Sequence, residues 1–381
     1  MDRRSFIKRA GQGVLFMGGL SLLNSCGGIK RDDLPEINDK KETIQGLGKD
    51  DIEILSLASL SPSGHNTQPW RVRVAGPKHW IIRSDKSRWL PAVDPENREL
   101  LLSIGAFIET LVIAAGTYGY QASIQVLAKN PMDTDIAEIH LKKDKVEGFP
   151  IEKIKKRRTI RDNFLDQEIR SDDLKFISGH DVRRCLIQTT SPHSFYFPKN
   201  SAQGKYLQER TIEANRKQAF RDDAQEELAN WIRWSNKEAR KYRNGLTPES
   251  MEITGVAGLF VRSSYNRQSV LKESFRKRTV DTVAKQVKMG GGWLVITSLD
   301  SSIPTLIEYG RIWENMLLRI REKMIAIHPM TQMLEEGPRD LVAKELGLNG
   351  EVQWILRIGY LKSYPAPVSL RMPLSWFVRT G

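Results

Sequence analysis

Ser61-Pro62-Ser63-Gly64-His65-Asn66-Thr67-Gln68-Pro69-Trp70 is the stretch whose reading decides the fold. Two prolines, a glycine, two amides, three hydroxyls and a tryptophan fall within ten residues. Proline fixes φ and removes a donor, and glycine opens φ above zero, so no helix runs through this segment. What remains is either a polar turn between a helix and a strand or a rigid loop. A rigid loop can aim backbone N–H groups, Ser63 and Asn66 at one ligand.

Upstream, Ile52, Leu55, Leu57 and Ala58 predict a short helix over 50–60 that feeds the loop. Downstream, 71–74 and 80–83 read as strands around Gly76-Pro77-Lys78. Asp94 as cap and Pro95 as first helical residue predict a helix to about Tyr118, with strands near 122–127 and 136–141. The densest basic run is 153–161. A helix over 171–178 and a strand over 184–189 follow. Residues 201–243 read as one long helical region carrying Trp231 and Trp234 and ended by Asn244-Gly245. Residues 246–292 read as loops and short helices. A strand over 293–298, a helix from Ser302 and Pro304 to about Ile327, a strand over 352–361 and an extended tail complete the chain. One echo is visible: Gly105-x-x-x-Glu109 recurs as Gly310-x-x-x-Glu314, each followed by apolar residues.

The 381 residues, 40% hydrophobic and 28% charged, suit a folded globular protein. A net charge of +13 suits an anionic ligand, an anionic membrane surface or nucleic acid. The basic run lacks aromatic interleaving and any nucleic-acid motif, so no nucleic-acid partner is expected. Two cysteines, Cys26 and Cys185, exclude a disulfide framework and a cysteine metal cluster. The six histidines show no metal-ligand spacing, and no metal site is expected.

Arg3-Arg4-Ser5-Phe6-Ile7-Lys8 followed by the apolar, glycine-containing run 11–23 resembles a twin-arginine export signal. Leu23-Asn24-Ser25-Cys26-Gly27 resembles a lipobox, in which the cysteine becomes the lipidated first residue. The expectation is a signal at 1–26, lipidation at Cys26 and a flexible tether at 27–49. The product would be a periplasmic or membrane-anchored lipoprotein. Twin-arginine export carries proteins already folded, often around a cofactor, so the address itself suggests a cofactor binder.

Residues 61–70 resemble the flavin-contacting loop of the nitroreductase family. Arg157-Arg158-Thr159-Ile160-Arg161 resembles that family's opening Arg-x-Ser/Thr-x-Arg/Lys segment, and Ser369-Leu370-Arg371-Met372-Pro373-Leu374 its closing phosphate-contacting segment. Residues 293–298, the Gly310 helix and Pro329-Met330-Thr331-Gln332 fit between them. In ordinary members the arginines precede the loop in one short subunit, and two subunits share each flavin site. Here the loop comes first. The order resembles the internally duplicated, flavin-sequestering branch, as do Asp94-Pro95-x-x-Arg98-Glu99, 103–106 and 231–246. Gly64 stands where a serine is usual.

The resemblance implies an α+β nitroreductase-like fold of two fused degenerate units, 50–150 and 151–381, forming an intrachain pseudo-dimer in a monomer. A lid at about 200–290 would cover one flavin mononucleotide (FMN). Pro62, Ser63, Gly64, His65 and Asn66 would contact the ring edge and ribityl chain. Arg157, Arg158, Thr159, Arg161 and Arg371 would hold the phosphate dianion. Pro329, Met330, Thr331 and Gln332 would lie by the ring's central nitrogen. The cofactor performs the redox step in this family, so no side chain is named catalytic. The implied function is hydride transfer by an FMN-dependent oxidoreductase with a small-molecule electron donor and acceptor. The alternatives are a flavin-sequestering or redox-sensing protein with little turnover, and a tethered binding module that has lost flavin.

Overall fold

The computed structural model describes residues 27–34, 44, 46–178 and 193–380. The export signal expected at 1–26 with Cys26, Cys185 and the strand expected at 184–189 lie outside the described residues.

Two antiparallel-rich sheets flank a layer of helices. The first sheet contains β1 (Trp70–Gly76), β2 (His79–Ser84), β3 (Tyr120–Val126), β4 (Asp135–Lys143) and β9 (Val378–Thr380), in the order β3-β4-β2-β1-β9. The second contains β5 (His193–Pro198), β6 (Gly292–Ser298), β7 (Ile325–Pro329) and β8 (Glu351–Tyr360), in the order β5-β6-β8-β7. β6 is buried along its whole length, and β8 everywhere but its first residue. Their near-continuous apolar runs are what a strand covered on both faces requires. β4 instead alternates, with Ala137, Ile139 and Leu141 turned to the core.

The first sheet rests on the helix Arg98–Thr117, and the second on Ile303–Ile320. These two helices cross with almost no side chain between them. A Cβ on Gly105 would meet Ile307 O at 2.1 Å, and one on Gly310 would meet Leu102 O at 2.0 Å. Only glycine permits that approach. Beside the crossing, Glu109 accepts from Asn315 Nδ2 (2.9 Å) and Arg311 Nε (3.0 Å), and Glu314 accepts from Thr110 Oγ1 (3.1 Å). The apolar residues around both helices form one continuous core reaching both sheets. Trp70, at the end of the opening loop, is fully buried and stacks on Phe107 at 4.9 Å.

Several expected boundaries shift. Helix 98–117 starts later than Asp94-Pro95 suggested, because Asn97 takes a left-handed conformation (φ 54°). Asp94 still caps it from outside, accepting from Glu99 N (3.1 Å) and Leu100 N (2.9 Å). The helix expected to reach Ile327 stops at Ile320, and Met324 at φ 54° turns the chain into β7. The apolar pattern of 325–327 fits a buried strand as well as a helix end, which periodicity alone does not separate. The region 201–243 is three helices, Ala202–Phe220, Asp222–Trp231 and Asn236–Tyr242. In 246–292, Glu273–Gln286 is a full helix rather than a short one. The tail is not simply extended: Leu374–Phe377 is helical, and β9 pairs parallel with β1 in the first sheet. Residues 27–34 are not a free tether. Ile29 and Leu34 pack with Ala239 and Leu370.

Replacing Gly310 with alanine places a methyl group against a backbone carbonyl. The expected loss is about 1–3 kcal/mol, read from urea unfolding. A change within about 0.5 kcal/mol, as for an exposed site, would show that the helices can part freely.

Candidate functional site

The loop after the first helix (Lys49–Ala58) is held in a conformation most sequences avoid. His65, Asn66 and Gln68 all have positive φ, at 46°, 53° and 53°. Buried side-chain bonds fix it. Ser61 Oγ lies 2.8 Å from Ala58 O, 3.1 Å from Ala106 O and 2.7 Å from Thr110 Oγ1. Ser63 Oγ accepts from Gln68 N (3.0 Å). Asn66 Nδ2 donates to Gly245 O (3.1 Å) and Leu370 O (3.2 Å). Gln68 donates to Arg243 O (3.0 Å), and its Oε1 accepts from Met372 N (3.0 Å). Asn66 is therefore largely committed to clamping the loop against 243–246 and 370–372. Gln68, not singled out by the sequence, shares that work.

The loop stands where two cavities meet. The larger, about 440 Å³, lies in the ~300–1,000 Å³ range of small-molecule sites. The smaller, about 40 Å³, is lined by arginines. Pro62, Ser63, Thr159, Arg161 and Leu246 border both. The larger chamber also takes in Gly64, His65 and all of Pro329, Met330, Thr331 and Gln332. The smaller takes in Asn66, Arg157, Arg158 and Arg371. Every binding residue expected from the sequence therefore borders one or both cavities.

Arginines crowd the small cavity, but their remaining donor capacity differs. Arg371 is nearly saturated, with Nη1 on Asn66 Oδ1 (2.9 Å) and Leu370 O (2.8 Å), and Nη2 on Leu60 O (2.8 Å) and Ser61 O (3.0 Å). Only its Nε lacks a partner among the described residues. Arg158 bonds Ala366 O (2.6 Å) and Glu252 Oε2 (2.6 Å). Arg161 bonds Ser250 O (2.8 Å). Arg157 is the least satisfied. Its Nη2 donates to Leu60 O (2.6 Å), whereas Nη1 is buried with no hydrogen-bond partner among the described residues. Its Nε lies 3.4 Å from Glu314 Oε1, close enough to pair in charge but outside hydrogen-bond geometry. A fifth arginine, Arg31, lines the same cavity and donates to Lys155 O. It arrives on the segment expected as a flexible tether.

Burial, reinforced by Arg157 and Arg31, pushes Arg371 well below the usual arginine range. Burial and Arg158 lower Arg161, although Glu252 opposes them. An anion in the small cavity would relieve this mutual repulsion. Glu314 answers only part of it: burial pushes its carboxyl up to about 7 despite Arg157 beside it.

The chamber is mostly apolar. Leu102 and Ala106 come from helix 98–117, and Trp313 and Trp354 stack at 4.8 Å. Burial and nearby Arg161 hold His65 near 4, so its ring is neutral. Glu99 also lines the chamber and is pushed up to about 7 by burial and Glu335. The opposite wall comes from residues 215–286, chiefly helices Ala202–Phe220, Asp222–Trp231 and Glu273–Gln286. Of the stretch 231–246 only Ile232 and Leu246 line the chamber. Trp234 does not line it and packs on Tyr265 (5.1 Å) and on Phe275 (6.1 Å), which does. The wall is tied down where Gly245 N donates to Asn66 O at 3.0 Å.

No family model matches the chain. Over 71 residues it is 42% identical to a provisionally named NAD(P)H nitroreductase of Mycobacterium tuberculosis, covering 19% of this chain and 20% of that one. The chain thus matches only about a fifth of the length of the first such relatives. A second protein of that organism, the provisionally named NAD(P)H nitroreductase acg, is 25% identical over 334 residues, or 84% of this chain and 92% of acg. Among solved structures, the FMN-dependent nitroreductase NfnB of Mycobacterium smegmatis aligns over 60% of this chain and 96% of its own. Its TM-score is 0.40, at 15% identity. The chain is thus similar over a short stretch to one provisionally named nitroreductase, and at lower identity along most of its length to another.

Glu314 gives this site a pH signature. With its folded value about 7 and its ordinary value 4.5, its contribution to stability is complete below about pH 4.5 and is lost as pH rises through about 7. Glu314→Gln removes that contribution. Urea unfolding at pH 5 and pH 8 should show a shallower pH dependence than wild type, by up to about 3 kcal/mol. An unchanged slope would contradict the assignment.

Proposed function

We propose that the two cavities together hold one FMN, and that the chain is an FMN-dependent oxidoreductase of nitroreductase type. The observation that carries this is the buried Arg157 Nη1, unpartnered among the described residues, in an arginine pocket that shares its border with a mostly apolar chamber. A phosphate ester attached to a flat apolar ring system satisfies both halves. Arg157, Arg158, Arg161, Arg371 and Arg31 would hold the phosphate, with Thr159 at the neck. Pro62–His65 and Pro329–Gln332 would border the ring. Bound FMN would supply hydride transfer; the chain supplies anion binding, orientation and exclusion of water. His65 is neutral at neutral pH, and the raised carboxyl of Glu99 is only partly ionised there, so these two groups put little fixed charge against the ring.

The same reading includes two fused units. Gly105 packs on Ile307 and Gly310 on Leu102, and the 205-residue offset of the sequence echo carries one pair onto the other, Gly105 to Gly310 and Leu102 to Ile307. Glu109 with Asn315 and Glu314 with Thr110 do the same. Such reciprocity is how an isologous two-fold contact looks when both partners lie in one chain. The units we propose are 50–150 and 151–381, with 200–290 as the lid and a monomeric assembly. Export by the twin-arginine route with lipidation at Cys26 belongs to the proposal, on the sequence pattern alone.

One observation favours a second reading, a flavin-sequestering or redox-sensing protein. The wall over the chamber is anchored to the loop by buried bonds at Gly245 and Arg243, which restricts entry of a second planar molecule. Anaerobic addition of NADPH to the purified protein separates the readings. Rapid loss of yellow colour is expected for the oxidoreductase. Bleaching by dithionite alone would favour sequestration, and a colourless chain that takes up no FMN would sink both. Arg157→Ala should weaken FMN retention by roughly 10- to 100-fold, the scale of a lost charge-assisted hydrogen bond. Unchanged affinity in a variant with wild-type unfolding would overturn the phosphate assignment.

A further inference from the structure

On the solvent face of the first sheet, three metal-ligating side chains converge. His79 on β2 and His140 on β4 are direct cross-strand partners. Glu138 lies two residues before His140, so all three project from one face. His79 Nε2 is 2.5 Å from Glu138 Oε1, His140 Nε2 is 3.6 Å from the same oxygen, and the three ligand atoms lie within 4.8 Å of one another. The two imidazoles stack at 4.0 Å, with 20° between their planes. Ser123 pairs with His140 on β3, so the cluster sits within the sheet rather than at a fraying edge.

From this juxtaposition we infer a binding site for one divalent transition-metal ion of the zinc type, with His79, Glu138 and His140 as ligands. Two imidazole nitrogens and one carboxylate oxygen form a ligand set zinc accepts, at about 2.0–2.2 Å per bond. Bonds of that length place tetrahedral ligand atoms about 3–3.5 Å apart. The present spacings bracket that value, so side-chain rotations suffice and no backbone shift is needed. The strand register fixes all three Cα positions before any ion arrives, which reduces the ordering that binding must impose. His79 and Glu138 are 29% and 23% exposed, and His140 is 54% exposed. The ion would therefore be partly sheltered and keep one side open to water or another ligand. No sequence spacing announces the site, because His79 and Glu138 are 59 residues apart and meet only through β2–β4 pairing. The site is independent of the flavin reading.

Titration of the metal-free, full-length protein with zinc against a chromogenic chelator tests the site. One zinc per chain is expected. His140→Ala and Glu138→Gln should each weaken it by at least about 10-fold, the lower end of what losing even a ligand's supporting partner costs, with flavin content and thermal unfolding as in wild type. Glu138→Gln is nearly isosteric and keeps the test valid if a histidine variant folds poorly. Absence of binding at millimolar zinc, or equal binding in both variants, would overturn the inference.

Discussion

The contact on which the rest depends is the crossing of helices 98–117 and 303–320 at Gly105 and Gly310. Backbone lies against backbone there, with no side chain to act as a spacer. That approach lets polar groups on the two helices reach one another. Ser61 Oγ touches Thr110 Oγ1, Thr110 touches Glu314, and Glu314 lies beside Arg157. A chain of short polar contacts thus runs from the opening loop, through both helices, to the cation with unused donor capacity. One methyl group at the crossing would lengthen the Thr110–Glu314 step, the one that spans the two helices.

Electrostatics near that chain is deliberately unbalanced in the physical sense. Five arginines surround a small volume; Glu252 answers Arg158, and the Glu314 carboxyl beside Arg157 is raised by burial, so most of the positive charge has no carboxylate opposite it. Burying like charges costs several kcal/mol unless an opposite charge enters. Carbonyls of Leu60, Ser61, Leu370 and Ala366 absorb some of that cost, and the donors left over define the anion's place.

Much of this was legible in the sequence. Proline, glycine and amide crowding marked the loop, the clustered arginines marked the basic pocket, and the Gly-x-x-x-Glu echo marked both crossing helices. Other features were hidden for identifiable reasons. Arg31 looked like a residue of a polar tether, because two apolar residues, Ile29 and Leu34, are too few to announce a packed segment. Gln68 reads as an ordinary loop amide until its distant carbonyl partners are known. The stretch 231–246 reads as part of a lid, yet a resemblance does not say which side chains face inward: Ile232 and Leu246 line the chamber, and Trp234 packs behind Phe275. β7 was absorbed into the preceding helix because a left-handed methionine at 324 leaves no mark in composition.

The tail leaves the arginine pocket at Arg371 and ends as β9 beside β1. This placement has a consequence for the order of folding. β9 closes the first sheet against β1, and Arg371 closes the basic pocket on Leu60 across 311 positions of chain. Contacts of such high sequence separation form only after the intervening chain has been gathered in. The sheet edge and the pocket are therefore joined in time as well as in space: what delays the docking of the tail delays both.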